Sequence, residues 1–132
     1  MADILVLYYS RNGATEALAR EVCKGVDSVD GMSARLRTVP QVSAVSEAIE
    51  NVVPESGPPF ATNTDLEECD GLIMGSPSNF GTLAASLTQF LGGTVGDWVR
   101  GVAVGAPAGV FASPGSFHGG EESTLIGWSR PL

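Results

Sequence analysis

Ile4-Leu5-Val6-Leu7-Tyr8-Tyr9-Ser10-Arg11-Asn12-Gly13-Ala14-Thr15 changes character twice in one short stretch. Ile4 to Tyr9 is a continuous apolar run rich in strand formers. Such a run suits a strand buried on both faces, as in a parallel sheet. Ser10-Arg11-Asn12-Gly13 is a turn cluster. From Ala14 to about Val29 the pattern becomes helical, with Ala14, Leu18, Val22 and Val26 recurring at i, i+4. The opening unit therefore reads strand, short polar loop, helix.

The rest of the chain repeats that theme. Ser33 to Val39 alternates Ala34, Leu36 and Thr38 against Arg35, Arg37 and Val39, which predicts a more exposed strand near a sheet edge. Pro40 stops it. Ser43 to Asn51 has room for one or two helical turns, and Pro54, Gly57, Pro58 and Pro59 mark a loop. Thr64-Asp65-Leu66-Glu67 has the form of a capping box opening a short helix. Gly71 to Gly75 reads as a third buried strand and Ser76 to Gly81 as the loop after it. Leu83, Leu87, Phe90 and Leu91 give a helical stripe that Gly92-Gly93 ends or interrupts. Pro107 to Ala112 reads as a fourth strand, Ser113 to Gly120 as a third glycine-rich loop, and Glu121 to Trp128 as helix. Alternating strands and helices predict an open parallel α/β sheet. In that architecture ligands bind outside the carboxyl ends of the strands. The polar loops after strands one, three and four all fall on that edge.

Composition narrows the function. The chain has 132 residues, 43% of them hydrophobic, which suits one domain with a sizeable core. Seven basic against fifteen acidic residues, a net charge of −8, argue against binding nucleic acid or anionic lipid. Cys23 and Cys69 read as two free thiols rather than a disulfide scaffold. Neither starts a C-x5-R loop, because Val29 and Gly75 hold the Arg positions. With no C-x-x-C and one histidine, a zinc site is not expected. Met1-Ala2-Asp3 lacks a basic leader, and the apolar run after it is too short for a membrane span, so a cytoplasmic protein is expected.

Each loop has a chemical reading. Ser10 to Thr15 joins a buried strand to a helix N-terminus, where free N–H groups and the positive dipole end suit a phosphate. It matches neither the dinucleotide fingerprint nor the P-loop. Ser76-Pro77-Ser78-Asn79-Phe80-Gly81 combines extended backbone with an aromatic, which suits the edge and face of a planar heterocycle. Ser113 to Gly120 can supply backbone groups on the far side of such a ring. Taken singly, each is equally compatible with an ordinary turn.

Together the three segments resemble the flavodoxin-like fold. More narrowly they look like the FMN-dependent NAD(P)H:quinone oxidoreductases once called tryptophan-repressor-binding proteins, the WrbA family. Leu5 to Thr15, Met74 to Gly81, and Pro107 to Ser113 continuing through His118-Gly119-Gly120-Glu121-Glu122-Ser123-Thr124 carry the likeness. The resemblance implies that Ser10, Arg11, Asn12, Gly13, Ala14 and Thr15 hold the FMN phosphate. Pro77, Ser78, Asn79, Phe80 and Gly81 would line the isoalloxazine and ribityl. Ser113, Pro114, Gly115, Ser116, Phe117 and His118 would cover the other edge of the ring. Trp98 matches the family's tryptophan near the flavin face, which arrives from a neighbouring subunit of a homotetramer. Asn12 sits where the family touches the nicotinamide. NADH or NADPH would reduce the flavin by hydride transfer to N5, and a quinone would then take two electrons in the same pocket. No catalytic side chain is implied. His118 stays open between loop packing and ring contact.

The chain also departs from the family. Ser78-Asn79-Phe80-Gly81-Thr82 stands where Thr-Arg-Phe-Gly-Asn is usual, which removes a cation beside the flavin. Pro114 deletes a possible N–H donor. A flavodoxin-like sheet runs 2-1-3-4-5. Only four strands are read here, so residues 1–132 are expected to form a single flavodoxin-like domain of order 2-1-3-4, incomplete at its C-terminus. An exposed fourth strand then predicts poor solubility and weak FMN retention. Two other functions compete with quinone reduction. One is a flavodoxin-type electron carrier and the other a truncated, inactive family member.

Overall fold

The computed structural model describes residues 2–10, 13–40, 58–77, 85–101, 105–113 and 125. In chain order the elements are β1 (Ala2–Tyr8), α1 (Ala14–Asp27), β2 (Met32–Thr38), α2 (Asn63–Glu68), β3 (Gly71–Pro77), α3 (Ala85–Gly92), α4 (Val95–Arg100) and β4 (Ala108–Ser113). The four strands form one parallel sheet in the order β2-β1-β3-β4. This is the expected class and order. The expected turns at 43–51 lie outside the described residues, as does the helix at 121–128 apart from Leu125, which is helical.

The strand order explains the layering. Moving from β1 to β2 and then back past β1 to β3 reverses direction, so right-handed crossovers put α1 and α2 on opposite faces, and α3 joins α2. Val6, Tyr8, Ala34, Leu36 and Phe111 pack on one face with Ala19, Val22 and Cys23 of α1. Leu5, Leu7, Tyr9, Val39, Leu72 and Met74 pack on the other with Leu66, Cys69, Leu87, Phe90 and Leu91. Leu5, Leu7, Met74 and Leu87 are fully buried, and each side chain of this size stabilises by about 1.5–3 kcal/mol. The two faces also account for the alternation in β2. Ala34 and Leu36 meet α1, whereas Arg35, Arg37 and Val39 turn to the α2 side.

Several local expectations shift. The buried side of α1 is Thr15 and Ala19, with Val22 and Cys23 behind them, while Ala14 and Leu18 are exposed. Small side chains face the sheet because helix and sheet approach closely there. The capping box forms two residues earlier than the Thr64 frame. Thr62 is the N-cap, its hydroxyl accepts the Asp65 N–H, and Asp65 accepts the Thr62 N–H at 3.0 Å. Ser76 and Pro77 belong to β3, not to the loop, and Pro77 pairs with Ser113. Gly92 ends α3, and α4 begins at Val95.

Asp65 is a hub. Besides closing the cap, its other oxygen meets Arg35 at 3.3 Å and Arg37 at 3.4 Å. Arg35 also pairs with Asp3 at 2.9 Å and Glu68 at 3.0 Å, and these bonds, that to Glu68 foremost, raise its pKa further. The network ties β1, β2 and α2 together. The outer edge of β2 is blunted by its own neighbours. Asp27 accepts the Ala34 N–H, Arg37 donates to the Leu36 carbonyl, and Thr38 exchanges hydrogen bonds with Pro59 and Ala61. Groups satisfied in this way offer no template for a further strand.

Candidate functional site

The strand order reverses between β1 and β3, and the crevice of an open α/β sheet lies outside the carboxyl ends at that point. β1 delivers Ser10 there, β3 delivers Pro77, and β4 delivers Ser113 as the register partner of Pro77. The Tyr9 N–H donates to the Gly75 carbonyl at 3.2 Å, which holds the exit of β1 against β3. Gly75 also makes room for β4. A Cβ there would overlap the Phe111 ring.

α1 starts at this edge. Its N-cap is Gly13, in the left-handed region at φ 90°, where side chains are strained and a Cβ would meet only open space. The Ser10 hydroxyl accepts the Gly13 N–H at 2.9 Å, which closes the turn. Gly13 has no side chain with which to cap the helix, and no cap bond is made among the described residues. Among these residues its first-turn N–H groups and dipole are thus left for an anion. Thr15 is 2% exposed, and its hydroxyl has no hydrogen-bond partner among the described residues. A buried hydroxyl without a partner is destabilising by about 1–3 kcal/mol, so a ligand oxygen would relieve it. This donor set fits a phosphate monoester, and hence the phosphate end of FMN.

The structure therefore gathers Ser10, Gly13, Ala14, Thr15, Pro77 and Ser113 at one edge. Arg11, Asn12, Ser78, Asn79, Phe80, Gly81, Pro114, Gly115, Ser116, Phe117 and His118 lie outside the described residues. Trp98 lies in α4, and its side chain also lies outside them. Arg100 of α4 pairs with Glu67 of α2 at 2.9 Å.

The sequence places Glu16 on the surface of the first helix and Asp65 in a capping box, and assigns neither a further partner. The signal for Asp65 was present in Arg35-x-Arg37, since two guanidinium groups on a half-buried face require a carboxylate. An open groove along β2 is lined by Arg20, Arg35, Arg37, Pro58 and Pro59. Its arginines are already paired with Glu16, Asp3, Glu68 and Asp65. Cys23 and Cys69 are half-buried thiols whose pKa burial pushes up, which suits packing rather than reactivity. Among the described residues no group of His, Cys, Asp and Glu is arranged to hold a metal ion. Nor is any described helix long and apolar enough to cross a membrane.

Sheet order and two-sided packing define a flavodoxin-like α/β protein. Solved structures agree. A flavodoxin, WrbA-like protein from Agrobacterium tumefaciens superposes with TM-score 0.74 at 19% identity, over 99% of this chain and 71% of that one. A flavoprotein in complex with FMN from Lactobacillus acidophilus gives 0.63 at 16% identity, over 99% and 86%. No family model matches the chain. By sequence the chain is similar to proteins named NAD(P)H dehydrogenase (quinone) over nearly all of its own length. It is 38% identical to one from Solidesulfovibrio magneticus, over 98% of this chain and 66% of that protein. It is 40% identical to one from Geobacter sulfurreducens, over 94% and 64%. The chain thus spans about two thirds of the length of these curated relatives.

Proposed function

We propose that this edge binds FMN and serves two-electron reduction of quinones by NADH or NADPH. The observation that carries the reading is the open start of α1 at the switch point of the sheet. Among the described residues no side chain caps its first turn, and the buried Thr15 hydroxyl has no partner. Ser10 shapes the turn, and Gly13 lets backbone approach the phosphate. Arg11, Asn12, Ala14 and Thr15 complete that end. Pro77 to Gly81 would line one edge of the ring and Ser113 to His118 the other. Asn12 and Trp98 would meet the nicotinamide or quinone, with Trp98 coming from another subunit of a homotetramer. A bound flavin supplies the redox chemistry, passing reducing equivalents from the nicotinamide to the quinone. The protein's residues bind, orient and exclude water, and none need act as a general base. The two curated relatives' names support the activity, and free thiols in a protein of this kind suit the cytoplasm.

The test is a pair of titrations of the full chain, one with FMN and one with riboflavin, followed by NADH and NADPH oxidation with benzoquinone as acceptor. The reading expects FMN to bind more tightly than riboflavin, and oxidation to require both FMN and the quinone. Equal, weak binding of the two flavins would sink it. FMN binding without turnover would favour an electron carrier instead.

A further inference from the structure

α1 and α2 treat the same kind of sequence in opposite ways. Each has an acid at the third helical position, where a carboxylate can reach back to the N-cap N–H. In α2, Asp65 does so. In α1, Glu16 does not. The Ser10 hydroxyl takes the Gly13 N–H instead, and Arg20, one turn on, draws the Glu16 carboxylate away at 3.0 Å. Glu16 is the one acid in the first turn of α1, and among the described residues no side chain caps the helix. A carboxylate swung towards that end would occupy the N–H groups that a phosphate needs.

We infer that Glu16 is a tethered competitor for the phosphate end of the site and that Arg20 is the positioning residue that holds it off. This rests on the phosphate reading of the α1 start. Both side chains are at the surface, 36% and 52% exposed, so substitution there leaves the core intact. Losing Arg20 frees Glu16 to fold back and repel the dianion. Losing Glu16 as well removes the need for Arg20.

The experiment titrates wild type, Arg20→Gln, Arg20→Lys, Glu16→Gln and the Arg20→Gln/Glu16→Gln double variant, each as full chain, with FMN and with riboflavin. Arg20→Gln should weaken FMN about two- to fivefold and leave riboflavin unchanged, as expected for one charge near a helix terminus. Arg20→Lys should retain most of the affinity, and the double variant should return to the level of Glu16→Gln. The Arg20→Gln loss should shrink at high salt. An equal loss for both flavins would mark Arg20 as merely structural and overturn the inference. So would additive single effects, or full FMN preference in Arg20→Gln. If wild type itself shows no preference for FMN, the phosphate reading fails first and takes this inference with it.

Discussion

Replacing Gly75 by Ala tests how β3 and β4 fit together at the candidate site. The added methyl would lie inside the Phe111 ring, so the ring must leave its place. Phe111 is half-buried against the cluster of Val6, Tyr8 and Ala19. Forcing a methyl into packed space destabilises by about 1–3 kcal/mol. Because a whole ring is displaced, the upper half of that range is expected, roughly 2–3 kcal/mol. Phe111→Ala alone removes a half-buried ring and should cost about 2 kcal/mol, below the roughly 3–5 kcal/mol of a fully buried one. Once the ring is gone, the methyl added at position 75 meets no obstacle. The Gly75→Ala/Phe111→Ala double variant should therefore be about as stable as Phe111→Ala, a coupling of roughly 2 kcal/mol. Urea unfolding of wild type and the three variants by far-ultraviolet circular dichroism measures this, with a constant m-value as the check. Additive losses in the double variant would refute the steric account.

Three further outcomes are expected. Asp65→Ala should destabilise by about 2 kcal/mol in urea, because a cap and two half-buried ion pairs go together, and Asp65→Asn should cost roughly half of that. Thr15→Val should raise stability by up to about 1 kcal/mol while weakening FMN several-fold and sparing riboflavin, since it deletes a buried hydroxyl with no partner among the described residues. A destabilised Thr15→Val chain would show that the hydroxyl is already satisfied. Stability should also fall on the alkaline side. Burial raises the pKa of Cys23 and Cys69, and burial followed by the Glu16 charge raises that of Tyr8. The unfolded chain thus loses these protons first, from about pH 8.5 for the thiols and about pH 10 for the phenol. The stabilisation is complete below that range and is lost as pH rises through it. Tyr8→Phe should flatten the upper part of a urea-midpoint profile.

The strands were legible because burial on both faces leaves uninterrupted apolar runs, as in Leu5-Val6-Leu7 and Leu72-Ile73-Met74. The candidate edge follows from the same runs, since the sequence places polar stretches directly after them. Pro77 reads as a stop because it has no N–H, yet at the last position of a strand that donor is dispensable. Leu18 looks like core by hydrophobicity. Thr15 and Ala19 take that place because closeness to the sheet selects for size. Thr62 and Thr64 both open a cap pattern, and local sequence does not choose between them. Arg35 and Arg37 do, by drawing Asp65 to their face of the sheet.

The central position of β1 has a consequence for assembly. The first of the four strands in chain order is an inner strand, flanked by β2 and β3. Residues 2–38 bring β1, α1 and β2 together within a short stretch of chain. The candidate edge draws on Ser10, Pro77 and Ser113, which span most of the described chain, so it is complete only with β4 docked. A ligand stabilises only the form that can bind it. Whatever occupies this edge therefore stabilises the sheet with β4 in place and has no hold on β1, α1 and β2 alone.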